Sequence, residues 1–516
     1  MRILMINVVC GIRSTGRICT DLAKALQAKG HTVRIAYGRE TVPDAAKPYA
    51  VRIGADTDVK LHAVRARLTD GCGYGSKRAT ERFLDWVRDY DPDVIHLHNL
   101  HGYYLNLPLL FGYLRTCGKK ILWTLHDCWA FTGHSAFCDA VSCERWADGC
   151  HDCPKVREYP ASLIDRSAQN WQDRKRMFTG IPNLRIVTPS EWMAKVAQRS
   201  FFGAYPITVI RSGIDLRKFY PSRNDTKESF RIPKQLLLFA AADWTEDVLQ
   251  SALPFLQRLN DDRTALFYGL SETQRQQLPC NARAMEPTAS SKELEMLCHA
   301  ADGAVLFGTP EAMLSDALRD AKTPIVATPE DANKLPLCAP DNADAAGFWA
   351  TRKEFGLLGK RVLLGVQSDW GGTIKGLPDL MKLRGALDDR TEMIVVGVSE
   401  RERDALPPNM IGLLRTDRVE TLRRLYAAVD WYVNPTYVDT LSMTNLEAVA
   451  CGTPVATYRT GGSPESAMGT GPVFPKGDID AMTRFFCKTE YASASVPPAS
   501  VDGTRATEAY LRLYEQ

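Results

Sequence analysis

Asp439 and Glu447 stand with seven residues between them in NPTYVDTLSMTNLEAVACGTPVATYRTGGSPE (434–465), and the pair Gly461-Gly462 follows. This set suits a sugar nucleotide. Carboxylates accept hydrogen bonds from ribose and sugar hydroxyls, and glycine backbone N–H groups can approach a phosphate closely. Lys375, in GGTIKGLPDL, follows a Gly-Gly turn at a predicted helix start, where a point charge suits a diphosphate.

The elements that must position these groups are legible around them. VDWYVNP reads as a short apolar strand stopped by proline, LEAVA as a helix closed by Cys451-Gly452, and TPVATY as the next strand. Both loops then fall at one edge of a parallel sheet, outside the carboxyl ends of the strands, where ligands bind in open α/β sheets. Residues 1–205 alternate strands and helices in the same way, through RILMINVV, HTVRIAYG, DVIHLHNL, KILWTLH and LRIVTPS. Largely apolar runs of this kind predict a doubly wound parallel sheet. Gly11, Ser14, Thr15 and Gly16 lie between the first strand and the first helix, where a tight turn lets a phosphate or sugar approach the helix start. His126 and Asp127 end KILWTL and are expected at the cleft, with His96, His98 and His101 nearby on the acceptor side or in structural roles.

The stretch 434–465 resembles the signature of retaining GT-B glycosyltransferases of family 4, a Glu-x7-Glu pair followed by an EA-x-A-x-G-x-P helix and a GG-x-x-E loop. Here Asp439 replaces the first glutamate, one methylene shorter. INVVCGIRSTGRI, HLHNLHGYYLN, TLHDCWAFTGH and TPSEWMA are similar to the colanic-acid and exopolysaccharide branch of that family. The resemblance covers roughly 1–225 and 350–475 and implies two Rossmann-like domains facing a cleft. It implies retaining transfer of a hexosyl group from a nucleoside diphosphate sugar to a saccharide or lipid-linked saccharide. In that reading Glu447 holds the ribose, Asn445 and Leu446 line the base and phosphate side, Asp439 bonds the donor sugar, and His126 positions that sugar from across the cleft. Lys375 neutralises the leaving diphosphate without the family's usual arginine partner, and Gly16, Gly461 and Gly462 give close approach. No catalytic cofactor is implied. A GT-B epimerase or phosphorylase, or a non-catalytic nucleotide-sugar or glycan-binding protein, are the competing readings.

An internal repeat interrupts the second half. KESFRIPKQLLLFAAADW (227–244) parallels KEFGLLGKRVLLGVQSDW (353–370), LNDDRTALFYGLSE parallels ALDDRTEMIVVGVSE, and IDLRKF (214–219) parallels ADAAGF (343–348). The first copy has no Lys or Arg in 245–257, a compressed Glu311–Asp316 pair, and an acidic PED in place of Gly461-Gly462. The expected organisation is an N-terminal acceptor domain (1–205), a degenerate Rossmann-like repeat (206–335), a donor domain (336–487), and a linker with a C-terminal helix (488–516).

Four cysteines, Cys138, Cys143, Cys150 and Cys153, fall in the long loop 127–160. Closing that loop with a four-thiolate structural zinc is one reading, with His134 or His151 as substitute ligands; free thiols and a disulfide are the others. The fourteen cysteines of the chain are otherwise scattered, which fits reduced thiols. A net charge of +3 without a sustained basic run gives no evidence for nucleic-acid binding. RILMINVV is too short for a signal peptide, and no apolar run reaches the ~18–20 residues of a bilayer span. The expected location is cytoplasmic, with peripheral association at the inner face of the membrane left open as an alternative.

Overall fold

The computed structural model describes residues 1–137, 142–222, 224–233, 235–335, 347–368, 370, 373–416, 418–489 and 501–516. Its strands form three sheets in which every paired neighbour runs parallel. The first contains β1 (Arg2–Asn7), β2 (Thr32–Tyr37), β3 (Ala50–Arg52), β4 (Val94–Leu97), β5 (Lys120–Thr124), β6 (Leu184–Thr188) and β7 (Ile207–Val209), in the order β3-β2-β1-β4-β5-β6-β7. A second sheet holds β8 (Gln235–Ala241), β9 (Arg263–Tyr268), β10 (Ala282–Met285) and β11 (Gly303–Phe307), in the order β10-β9-β8-β11. The third holds β12 (Arg361–Val366), β13 (Thr391–Val398), β14 (Met410–Leu414), β15 (Trp431–Asn434), β16 (Val455–Tyr458) and β17 (Val473–Phe474), in the order β14-β13-β12-β15-β16-β17.

The apolar runs are continuous because helices cover both faces of each sheet. All eight residues of β13 are buried, as are all six of β9. In each sheet the strand order reverses beside the first strand, between β1 and β4, β8 and β11, and β12 and β15. Ligands bind at such reversals. The helix start carrying Gly16 and the loops carrying His98, Lys375 and Asp439 all follow strands flanking one of them.

The second sheet repeats the order of the first four strands of the third, and an Ala304–Ile325 bridge stands where β15 pairs with β16. Trp244 and Trp370 follow equivalent strands and make equivalent bonds, their indole N–H groups donating to Tyr268 O (2.7 Å) and Val396 O (2.9 Å). The two units meet across a buried polar seam. Asp430 accepts from Ser290 Oγ (2.7 Å), the Lys292 N–H (2.9 Å) and the Val362 N–H (2.8 Å). Arg352, wholly buried, pairs with Glu293 at 2.8 Å and Asp430 at 3.4 Å.

From beyond the third sheet, the helix Gly503–Glu515 returns to the first. Its Tyr514 hydroxyl lies 2.7 Å from His96 Nδ1 and its Tyr510 hydroxyl 3.1 Å from Thr124 Oγ1. Most of the linker before it, the start of the 336–487 segment, most of ADAAGF and the glycines 371 and 372 lie outside the described residues. Among the described residues no helix is long and apolar enough to cross a membrane.

Candidate functional site

Proline ends β15 after Asn434, and the chain that follows is laced to the Lys375 turn. The Tyr437 N–H donates to Ile374 O at 2.8 Å. Gly376 has φ +81°, and a Cβ there would lie 2.2 Å from Pro435 O, so only glycine lets the two loops touch. That contact brings Lys375 Nζ within 3.9 Å of Asp439 Oδ2, beside the start of the helix Leu377–Gly385. Both side chains are partly exposed. A cation, a helix N-terminus and an adjacent carboxylate at one sheet edge can take the two ends of a sugar diphosphate.

The glycine pair does something other than expose N–H groups. The Gly462 N–H donates to Asp439 O at 3.0 Å. A Cβ on Gly461 would lie 1.7 Å from Asp439 O, and one on Gly462 2.1 Å from Thr440 O. The loop lies flat against the Asp439 backbone and fixes it. Three residues later Glu465 reaches the opposite unit, accepting from the N–H groups of Glu191 (2.9 Å) and Trp192 (2.8 Å) at the start of the helix Glu191–Arg199, and pairing with Arg211 at 3.2 Å.

Glu447 lies on the helix Met443–Ala450, capped by Ser442. It is buried, accepts from the Tyr426 hydroxyl at 3.0 Å, and has Arg17 Nη2 3.9 Å from its other oxygen. Burial raises its carboxyl pKa above the ordinary value, and Arg17 opposes that. Arg17 comes from the helix Arg13–Ala28 of the first unit, one residue after Gly16, whose carbonyl accepts the Gly11 N–H at 3.2 Å. Asn445 and Leu446, expected to line the base and phosphate side, are turned inward. The Asn445 amide bonds Asn434, Ser463 O and Ser466 Oγ, and Leu446 is 3% exposed in the core. Three consecutive helical residues point about 100° apart, so they cannot all face one cleft.

Across the gap, His126 O accepts from Thr440 Oγ1 at 2.8 Å, next to Asp439. His126 Nε2 lies 2.9 Å from His98 Nδ1, and the rings stack. Asp127 is not the partner of His126. Its Oδ2 bonds His101 Nε2 at 2.7 Å and its Oδ1 accepts the Trp129 N–H, while His101 Nδ1 meets the Tyr159 hydroxyl at 2.9 Å. Desolvation drives the His126 pKa down to about 4 and that of His96 to about 3, and lowers His98 well below its ordinary value. At neutral pH these are uncharged hydrogen-bonding groups. Such groups take up protons in the unfolded chain near 6.5 but not in the folded one, so stability falls as pH drops from there toward 4. The loss in melting temperature between pH 7 and pH 5 should shrink in His98→Phe; an unchanged loss would contradict this account.

Of the four loop cysteines, Cys138 lies outside the described residues, and the four-thiolate reading with it; among the described residues no three His, Cys, Asp or Glu side chains are placed to hold a metal. Cys143, Cys150 and Cys153 are free thiols lining a small pocket with His134, whose Nδ1 is held by Asp70 at 2.6 Å. Burial pushes the Cys150 thiol up to about 11. His151 is exposed and pairs with Asp152.

Arg17 and Glu465 carry site geometry that spacing along the chain does not assign, and His98, one of the three histidines expected near the cleft, is the partner of His126. Arg17 follows the glycine loop and Glu465 ends the GG-x-x-E motif, which were the available signals.

Residues 15–218 match the family described as Glycosyltransferase Family 4, and residues 370–488 match Glycosyl transferases group 1. The second sheet lies between the two matches. The chain is 29% identical over 231 residues to the putative colanic acid biosynthesis glycosyl transferase WcaC of Escherichia coli (strain K12), over 42% of this chain and 55% of that protein. The match thus spans about half the length of that relative. Among solved structures, Anabaena Alr3699/HepE in complex with UDP and glucose aligns over all of both chains with TM-score 0.51 and 10% identity. The same protein in complex with UDP-glucose aligns over 100% of this chain and 99% of its own, with TM-score 0.50 and 10% identity.

Proposed function

We propose that this chain, whose fold is GT-B, is a glycosyltransferase of glycan biosynthesis that moves a hexosyl group, with retention, from a nucleoside diphosphate sugar to a saccharide or lipid-linked saccharide. The observation that carries the reading is the meeting of Lys375 and Asp439, whose loops leave the strands flanking the reversal of the third sheet, with the His126 backbone across the gap, within segments matched by two glycosyltransferase families. The nucleotide-sugar ligands named for the solved neighbours support the donor class.

Lys375 and the helix start beside it stabilise the negative charge that develops on the leaving diphosphate, an interaction that strengthens toward the transition state. Asp439 accepts from donor-sugar hydroxyls, its position held by Gly461 and Gly462. Glu447 takes the ribose hydroxyls. Neutral His126, held by His98, orients the sugar by hydrogen bonding rather than by charge. Retention in this fold is ascribed to attack on the same face of the sugar, so no protein base is assigned.

The second sheet acts as a degenerate copy without a donor site. Its helix Glu246–Gln257 begins with Glu246 and Asp247, and Leu249, aligned with Lys375, is fully buried. Glu311 is taken by the Tyr268 hydroxyl and Asp316 by Arg319. Anions at that helix start repel a diphosphate, and a buried leucine at the lysine position offers it no countercharge. Calorimetry with UDP and GDP should therefore give one site per chain, weakened by Lys375→Ala and by Glu447→Ala. Two comparable sites, or one that both variants leave at full affinity, would contradict the assignment. Turnover of the bound sugar nucleotide separates this reading from a non-catalytic binding protein.

A further inference from the structure

His96, wholly buried on β4, joins the helix Gly503–Glu515 to the cleft through a row of three histidine rings. The row follows from the pleat. Side chains two residues apart on a strand share a face, and β4 pairs with β5 so that His96 stands opposite Leu122. His96, His98, Thr124 and His126 therefore point to one side of the first sheet. The His96 and His98 ring centres are 4.0 Å apart, and the His98 and His126 rings stack at 5.2 Å with 15° between their planes.

The far end of the row is held by the C-terminal helix. His96 Nδ1 lies 2.7 Å from the Tyr514 hydroxyl and His96 Nε2 2.8 Å from Thr124 Oγ1, which lies 3.1 Å from the Tyr510 hydroxyl. Both nitrogens of His96 are thus engaged, so its ring cannot turn without breaking a buried bond. The near end reaches the cleft, where His126 O accepts from Thr440.

Between them, His98 decides where the protons sit. Its Nδ1 lies 2.9 Å from His126 Nε2, whereas its Nε2 is enclosed and meets no polar partner among the described residues. Neutral His98 has one ring proton. On Nε2 it would leave a buried N–H without an acceptor, the rarer kind of orphan in proteins. The proton therefore belongs on Nδ1, donated to His126 Nε2, and His126 keeps its own proton on Nδ1. His126 is half-buried and that nitrogen is not enclosed, so its N–H is offered to the cleft.

We propose that Tyr514 and His96 are positioning residues that act through His98 to hold His126 as the Nδ1–H tautomer, whose N–H bonds an oxygen of the transferred sugar. A free neutral histidine favours Nε2–H, so the Nδ1–H form is a signature of the partner on the other nitrogen. The contact with the sugar rests on the glycosyltransferase reading, whereas the tautomer does not.

Full-length protein labelled with 15N-histidine should show His126 at pH 7 as a neutral Nδ1–H species, identified by its loss in His126→Gln. Tyr514→Phe removes one hydroxyl and keeps the ring. It should shift His126 toward Nε2–H and lower hydrolysis of UDP-glucose to UDP and glucose roughly tenfold, with UDP affinity unchanged. His98→Phe should act in the same direction, and His98→Asn, whose amide nitrogen can stand where Nδ1 stands, should restore both readouts. A parent His126 with its proton on Nε2 would overturn the proposal. So would a Tyr514→Phe protein that melts earlier but keeps the parent tautomer, since the helix would then only add stability. The expected tautomer and its shift in a chain that binds neither UDP nor GDP would support the histidine row and sink the donor-site assignment.

Discussion

Asp439→Asn is expected to lower turnover ~10²-fold or more while leaving affinity for the bare nucleoside diphosphate close to that of the parent. Asp439 is one end of the contact with Lys375, and its carboxylate is partly exposed toward the cleft, so its proposed partner is the transferred sugar rather than the nucleotide. A charged hydrogen bond that tightens as the sugar becomes cationic acts on the transition state, so the loss belongs in kcat. Asp439→Glu is the sharper control. The Asp439 backbone is clamped by Gly462 and crowded by Gly461, so the loop cannot retreat to admit another methylene. That variant should also lose turnover, despite matching the family's glutamate. Steady-state kinetics beside calorimetry decide the matter. Full turnover in Asp439→Asn would mean that the carboxylate is only a structural partner of Lys375.

Arg352→Met should destabilise the protein by about 3–5 kcal/mol, because removing one partner leaves buried charge uncompensated. Arg352 is the cation between Glu293 and Asp430, and its guanidinium also donates to Ala428 O and Leu357 O at 2.8 and 2.9 Å. The seam it holds joins the second and third sheets, so urea unfolding should show an earlier transition. Its pH dependence follows from Glu293, whose carboxyl pKa burial already raises and Arg352 opposes. Without Arg352 that carboxyl rises further. The folded variant then binds a proton that the unfolded chain does not, and the deficit shrinks as pH falls through the raised range. A variant as stable as the parent at pH 7, or a deficit that stays constant on acidification, would contradict this. Arg352→Lys should restore little, since one ammonium cannot reproduce a fork that reaches two carboxylates and three carbonyls, Lys360 O among them.

The strands were legible in the sequence because buried parallel strands are continuous apolar runs, and β1, β5 and β13 each read that way locally. The loops of the third sheet were legible for a related reason. Proline after β15, the Cys451-Gly452 stop and the glycines at 461 and 462 are demands of the local backbone, and such demands are written in residue type. The parallel between the second and third sheets was legible because their equivalent strands carry the same apolar pattern, even where the charges between them differ.

Other features depend on distance in space, which spacing along the chain does not encode. Arg17 meets Glu447, Glu465 caps a helix of the first unit, and His98 rather than Asp127 is the partner of His126. Each is set by which loops two sheets bring to a common edge. Asn445 turned inward because Ser463 and Ser466 pack over its helix, a contact fixed by the loop after β16 rather than by the helix itself. On the helix Asp56–Thr69 the exposed Leu61, Val64 and Leu68 have the spacing of a core-facing stripe. Only the packing of His62 and Ala66 against the first sheet's unit decided that the opposite face would be buried and that this one would meet solvent.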